Sequence, residues 1–142
     1  MKVTLLLADS AQEIGGKLYI LGGGWSLTGP EVGPMALAIK IDVPWGAANQ
    51  KHTFEIKLLS EDGGPPPMLT KEGLGQGEAR FSGSFEVGRP PGLPPGTDID
   101  TALAVQLGPL PLVPGQGYVW QVEIDGSTHD HWKRPFRVRE SV

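Results

Sequence analysis

The chain has 142 residues, a formal net charge of −4 and no cysteine, and 39% of its residues are hydrophobic. The acidic balance argues against binding to a phosphate backbone, which needs clustered Lys and Arg, and the missing thiols exclude disulfides and favour the cytoplasm. The apolar stretch 3–8 is shorter than a signal-peptide core of roughly 7–15 residues and a membrane span of roughly 20. We therefore expect one cytoplasmic domain, residues 1–142, that binds neither nucleic acid nor membrane.

Alternation of apolar and polar residues predicts the strands. Every odd position of Met35–Val43 is apolar, and residues 79–87 and 118–124 repeat this period of two. Side chains of a strand point alternately to opposite sheet faces, so this period indicates one buried and one wet face. The sequence predicts eight strands, near residues 2–8, 17–21, 35–43, 52–59, 78–87, 99–107, 118–124 and 132–138.

Turn residues lie between the predicted strands. Gly15-Gly16 and Asp125-Gly126 are typical of hairpin turns, because these residues accept positive φ angles. Residues 61–77 show no period and predict an exposed mobile loop, while the Pro-rich segments 88–97 and 108–117 predict stiff straps. The one helical candidate, residues 44–50, is one or two turns long.

Short strands without helical alternation predict an all-β, immunoglobulin-like two-sheet antiparallel sandwich of seven to nine strands, with almost no helix. The expected core consists of Leu5, Leu7, Leu18, Ile20, Leu37, Ile39, Ile41, Phe54, Ile56, Phe81, Phe85, Leu103, Val105, Trp120, Val122 and Phe136.

The glycine run before Trp25 does not predict a phosphate-binding loop. Such a loop continues with Gly-Lys-Ser/Thr into a helix, whereas Ser-Leu-Thr-Gly-Pro follows Trp25 and cannot begin one. We interpret the run as a bulged strand end at which another backbone or Trp25 approaches closely.

His129 and His131 form the one metal-like spacing, because residues two apart on an extended segment share a face. A zinc site needs further ligands, and the third histidine, His52, begins a different strand. Most acidic residues fall on outward-facing strand positions or beside turns, and no serine lies in a Gly-x-Ser-x-Gly elbow, so neither pattern indicates catalysis. We predict that the protein is not an enzyme and holds no cofactor or metal. A metal-binding protein or hydrolase using His129 and His131 is the alternative.

The four tryptophans divide into two classes. Trp120 and Trp132 are in phase with the apolar positions of their strands and are expected in the core. Trp25 and Trp45 lie in connections, where a tryptophan either covers the end of a sandwich or contacts a partner. Trp25 and Trp45 are therefore interaction candidates, with cover as the duller interpretation.

The first strand is apolar on both faces. Thr4 is its only polar residue between Val3 and position 8, so Val3, Leu5 and Leu6 would form a sticky edge unless the strand lies inside a sheet. The last strand carries Pro135 and basic residues, which commonly protect an exposed edge. If the protein self-associates, we expect contacts through residues 3–7 or the loop with Trp25.

The segments ADSAQEIGGKLYILGGGW, MALAIKIDVPW, GRPPGLPPGT and LGPLPLVPGQGYVWQVEIDG together resemble a family of small stand-alone bacterial proteins of unknown function that is frequent in actinobacteria. The resemblance spans nearly the whole chain and implies a single β domain without any assigned activity or site. Separately, residues 114–120 are similar to the entry of a late strand in immunoglobulin-like sandwiches, where a tyrosine ties the preceding corner to the strand. Tyr118 is the candidate for that structural role.

These observations favour a non-catalytic interaction or assembly module, with a protein partner or a second copy as the bound species. A structural subunit of a phage particle, such as a capsid decoration or tail accessory protein, is a variant of the same class, because a sheet edge can be extended by another chain.

Overall fold

The computed structural model describes residues 1–141, and their regular structure is almost entirely β. All eight predicted strands are present. Within the described range the strands are β1 (Lys2–Ile14), β2 (Lys17–Gly23), β3 (Leu27–Thr28), β4 (Met35–Val43), β5 (His52–Ser60), β6 (Pro67–Thr70), β7 (Gly73–Gln76), β8 (Arg80–Phe85), β9 (Ile99–Leu107), β10 (Gly117–Ile124) and β11 (Lys133–Val138). Trp45–Ala47 and Asp130–Trp132 form single 3-10 turns.

The strands build two sheets and a separate ribbon. Sheet A has the order β2-β1-β4-β9, sheet B has the order β3-β11-β10-β5-β8, and β6 pairs with β7. All pairings are antiparallel except that of β3 with β11, which is parallel. Apolar side chains from both sheets meet in one continuous cluster. The prediction of an all-β sandwich with almost no helix is therefore confirmed.

The period of two in the sequence marks the side chains that face the main core. The odd residues of β4 are all buried against sheet B, and Trp120 of β10 is fully buried opposite them. Trp132 is also buried, as its phase predicts. The Tyr118 hydroxyl accepts a hydrogen bond from the Val113 amide (2.8 Å) and donates one to the Pro67 carbonyl (2.7 Å). This confirms the predicted tie between Tyr118 and the preceding corner.

Residues 61–77 were expected to be a loop, and that expectation is wrong for β6 and β7. Their ribbon has only four residues in each strand, too short a stretch for a period of two to stand out. Met68 of β6 is buried in the main core, and a Cβ on Gly77 would overlap the Met68 sulfur. The thioether fastens the ribbon to the sandwich, while Leu69 and Leu74 face solvent opposite each other.

Neither of the two short 3-10 turns within residues 1–141 is long and apolar enough to cross a membrane.

Candidate interaction surface

The distal half of the β1–β2 hairpin folds back onto the outer face of sheet A. β1 pairs with β4 only as far as Ala8, and from there to Ile14 it pairs with β2. Both hairpin strands also contact β9, which lies beyond β4 in the strand order. A flat sheet does not allow that contact, so the hairpin has turned back over the sheet. We call residues 9–23 the arm.

Two glycine sites shape the arm. Gly15 and Gly16 have φ angles of 59° and 81°, which allow a two-residue hairpin turn, and the Gly16 amide donates to the Glu13 carboxylate (3.0 Å). At the base, Gly22 has φ 62°, and a Cβ there would overlap the Asp9 carboxylate. The sharp bend therefore requires glycine at position 22.

The inner face of the arm forms a second apolar cluster, separate from the main core. Ala11, Leu18 and Ile20 of the arm lie against small residues of sheet A. The buried alanines at the centre of this cluster are Ala8, Ala11, Ala36 and Ala38, with Leu6 and Ala104 beside them. Leu18 and Ile20 were predicted in the core between the sheets, and that prediction is wrong: they cover the outer face of sheet A. Short alanine side chains leave room for a second layer of backbone.

Gln106 of β9 fastens the base of the arm. Its side-chain oxygen accepts a hydrogen bond from the Ala11 amide (3.2 Å), and its nitrogen donates to the carbonyls of Asp9 (3.4 Å) and Met35 (3.3 Å). One amide side chain thus connects the arm to two strands of sheet A.

The outer face of the arm exposes three large apolar side chains. Ile14, Tyr19 and Leu21 are 57%, 54% and 71% exposed. Tyr19 lies opposite Gln12, and Leu21 lies opposite Ser10. The three apolar residues therefore share one face of a two-stranded layer, and the opposite face of the same layer is partly buried against sheet A. Contiguous exposed apolar surface on a small domain commonly marks an interaction site.

β2 also presents an unpaired backbone edge. Within residues 1–141 it is the terminal strand of sheet A, hydrogen-bonded to β1 alone. Lys17 is its single charged residue and stands at its first position. Proline and central lysines, the usual devices that protect an edge from pairing with another chain, do not occur in β2.

The interaction candidates of the first strand, Val3, Leu5 and Leu6, do not lie on the outer face of the arm. Val3 and Leu5 are 5% and 2% exposed and point into the main core, so neither side chain is available to a partner. Leu6 lies half-buried beneath the arm. The Leu5 carbonyl accepts a hydrogen bond from Arg134 Nε (3.1 Å). Both faces of this strand are apolar because both are covered by the chain itself.

Trp25 and Trp45 both pack against the main core. The Trp25 ring meets the ring of Phe136 edge-on at 6.1 Å. The Trp45 ring lies beneath the Arg89 guanidinium at 4.6 Å, and Arg89 also donates to the Trp45 carbonyl (2.8 Å). Each is half-buried, an arrangement that fits a cover more closely than a free contact residue.

His129 and His131 are exposed and stack on each other at 5.5 Å, with Trp132 edge-on to both. Among residues 1–141, no three His, Cys, Asp or Glu side chains are grouped to hold a metal ion. The two imidazoles thus form an aromatic cluster at the start of β11.

His52 is buried, and both of its ring nitrogens are engaged. Nδ1 lies 2.7 Å from the Asp125 carboxylate, Nε2 lies 2.8 Å from the Ala47 carbonyl, and the ring stacks on Phe85. The Ala47 carbonyl, with the Asp125 carboxylate, raises the pKa of His52. The His52 imidazole and the Thr53 amide lower the pKa of Asp125. With both nitrogens facing acceptors, the imidazole has no free position for a substrate proton, so we assign it a structural role.

Two surface depressions of about 510 and 520 Å³ are lined by polar residues. In the first, the Ser60 hydroxyl donates to Asp62, which lowers the pKa of that carboxylate and leaves it a poor base. The second lies over the outer face of sheet B and contains Thr53, Ser82 and Glu123. Within residues 1–141, no histidine is among the residues that line either depression.

The sequence patterns did not predict that the outer face of the arm exposes apolar residues. A signal was present in residues 18–21 (LYIL), which are apolar on both faces of a strand. A strand with apolar residues on both faces either lies between two layers or exposes one apolar face to solvent. In β2 one face is half-buried and the other is exposed.

The fold defines the chain as an all-β protein built on two packed sheets. A family model described as a family of unknown function, DUF6941, matches residues 3–139. The chain therefore belongs to this family. Comparisons with curated proteins and with solved structures found no match.

Proposed function

We propose that this protein is a non-catalytic interaction module whose contact surface is the outer face and the free edge of the arm. The observation that carries the proposal is the two-sided character of the arm. One face is buried on Ala36 and Ala38, while the other exposes Ile14, Tyr19 and Leu21. The inner face holds the arm against sheet A. A partner that binds the outer face therefore has to order little of the chain.

The distribution of polar groups supports a binding module rather than an enzyme. The buried imidazole of His52 is held by two acceptors, and the depressions contain carboxylates that are hydrogen-bonded or ion-paired. The arm offers instead what partner strands use, namely main-chain donors and acceptors beside apolar side chains.

Site-specific photo-crosslinking tests the proposal. A photoreactive phenylalanine analogue replaces Tyr19 in cells that make the protein natively, and the matched control carries the same analogue at Thr53, exposed on the outer face of sheet B. We expect a discrete adduct with another protein chain from position 19, weakened by Leu21→Ser, and none from position 53. Equal labelling from both positions, or no adduct from position 19, contradicts the proposal.

A further inference from the structure

We infer that the partner bound by the arm is a second copy of this chain, joined by antiparallel pairing of β2 with β2 about a two-fold axis at Tyr19. This inference rests on the proposed function and names its partner. It follows from the hydrogen-bonding pattern of the hairpin, from the two glycines that bound its extended part, and from the apolar contacts that pairing would make.

The turn determines which backbone groups of β2 face outward. Ile14 and Lys17 flank the two-residue turn and form its closing pair. Hydrogen-bonded and non-hydrogen-bonded pairs alternate along an antiparallel ladder. The amides and carbonyls of Leu18 and Ile20 therefore point away from β1. The Ala11 amide, opposite Ile20, follows the same rule and donates to Gln106 instead of β2.

Two glycines fix the register of the proposed pair. Gly16 and Gly22 have φ angles of 81° and 62°, so the extended part of β2 is limited to residues 17–21. The centre of that segment is Tyr19. An axis there places Leu18 opposite Ile20 of the second copy, and the reverse pair is its symmetry mate, which gives four main-chain hydrogen bonds. An axis at Ile20 would place Leu18 opposite Gly22, whose φ angle interrupts the ladder.

This register also brings the exposed apolar side chains of the two copies into contact. Tyr19 would meet Tyr19 of the second copy across a non-hydrogen-bonded pair, where side chains approach most closely. Leu21 would lie on the methylene stem of Lys17 from the second copy, with Ile14 next in the same row. The three apolar residues expose on the order of 400 Å² per copy, near the size of a typical functional patch. Edge pairing covers only the parts of these side chains that face the second copy, so the two copies bury less than roughly 1,200 Å² and form a weak, concentration-dependent dimer.

A second copy fits this edge better than the other segments of the chain. Antiparallel pairing of identical strands is two-fold symmetric, so the assembly closes with both β2 edges satisfied. The first half of β1, where the sequence suggested contacts, has its Leu5 carbonyl already engaged by Arg134. The self-association surface is therefore placed on β2 instead of residues 3–7.

Disulfide trapping tests the axis directly, because the natural chain contains no cysteine. We expect Tyr19→Cys to oxidise to a covalent dimer, since the two residues meet on the axis in a pair suited to a disulfide. The matched control is Leu21→Cys, two residues from the axis in each copy, which we expect to remain monomeric under the same oxidation. Equal trapping of the two variants, or trapping of Leu21→Cys alone, overturns the inference.

Light scattering of the purified protein measures the assembly without a covalent bond. We expect a mass near twice 15.1 kDa at high concentration and a dissociation constant raised at least about tenfold by Tyr19→Lys with Leu21→Lys. Leu74→Lys on the equally exposed ribbon is the control and should leave the dissociation constant unchanged. Far-UV circular dichroism checks that each variant is folded.

A wild-type protein that stays monomeric at all concentrations overturns this inference. If the photoreactive analogue at position 19 then forms an adduct with a different protein chain, the proposed function still stands. If it crosslinks to nothing, both fail.

Discussion

The outer faces of the two sheets are covered in opposite ways. Where the arm lies, sheet A presents small apolar residues and is covered by the chain itself, while Lys40 pairs with Asp42 and Asp100 further along the same face. Sheet B presents a charged network open to solvent, in which Lys57 lies 3.0 Å from Glu123, and Arg80 lies 2.5 Å from Glu55. The Arg80 guanidinium lowers the pKa of Glu55. An apolar outer face has to be covered by a second layer, and here that layer is the arm, which carries its own unpaired strand edge. A charged outer face can remain in contact with solvent and needs no such layer. The proposed interaction surface is thus a consequence of how sheet A is covered.

The largest difference between the two faces should appear when the same side chain is placed on each. Ala38→Lys puts an ammonium group under the arm at a position that is 2% exposed. We expect it to lower the free energy of unfolding by about 2–4 kcal/mol, because the charge must stay buried or displace the arm. Ser82→Lys, on the exposed face of sheet B, should change it by less than about 0.5 kcal/mol. Urea denaturation measures both, and equal effects would contradict the layered arrangement.

The next effect concerns the buried start of β5 in sheet B, where His52 contacts two acceptors. His52→Gln should lower the free energy of unfolding by about 1–3 kcal/mol, because a single neutral amide group cannot reproduce both contacts of the imidazole with Asp125 and the Ala47 carbonyl. The effect should depend on pH. The folded-state pKa of His52 is raised above 6.5, so its contribution is complete below pH 6.5 and is lost as pH rises through that raised pKa.

Asp125 determines the pH below which the contact with His52 stops contributing to the free energy of unfolding. Its folded-state pKa is lowered below 3.8, so its contribution is present above pH 3.8 and disappears as pH falls through the lowered pKa. The stability difference between wild type and His52→Gln should therefore be greatest between about pH 4 and 6.5. A difference that grows from pH 6.5 to pH 9 would be inconsistent with the assigned pair.

The bend of the arm should be less costly to disturb. Gly22→Ala forces a side chain into positive φ beside Asp9, and we expect a loss of about 1–2 kcal/mol. Hydrogen exchange should locate the loss in residues 9–23. Gly33→Ala, at a position with open space and no positive φ, is the control and should be nearly neutral. Asp9→Ala combined with Gly22→Ala separates overlap from backbone strain, since only the overlap is relieved.

The smallest effect is expected in the charged network of sheet B. Lys57→Ala removes the ion pairs with Glu55 and Glu123, and we expect less than about 0.5 kcal/mol, reduced further by salt. A loss above 1 kcal/mol that persists in 1 M salt would show that this face carries more of the stability than its exposure indicates.

Local patterning was sufficient for the sandwich and insufficient for the arm. The alternation in β4 and β10 identifies the side chains that face the main core, because the apolar positions of each strand lie on its inner face. Leu18 and Ile20 share the same alternation, but their destination depends on alanines that are distant in sequence, such as Ala36 and Ala104. Alanine occurs on both exposed and buried surfaces. The alanines of β4 therefore did not predict that a second layer packs on that face of the strand.

The position of Met68 against Gly77 has a consequence for sequence variation within the family. The thioether occupies the space that a side chain at position 77 would need, so the two positions cannot vary independently. Family members with a larger residue at position 77 should carry a shorter one at position 68, and a methionine at 68 should occur with glycine at 77. An alignment in which bulky residues occupy both positions together would show that the ribbon is fastened differently in those relatives.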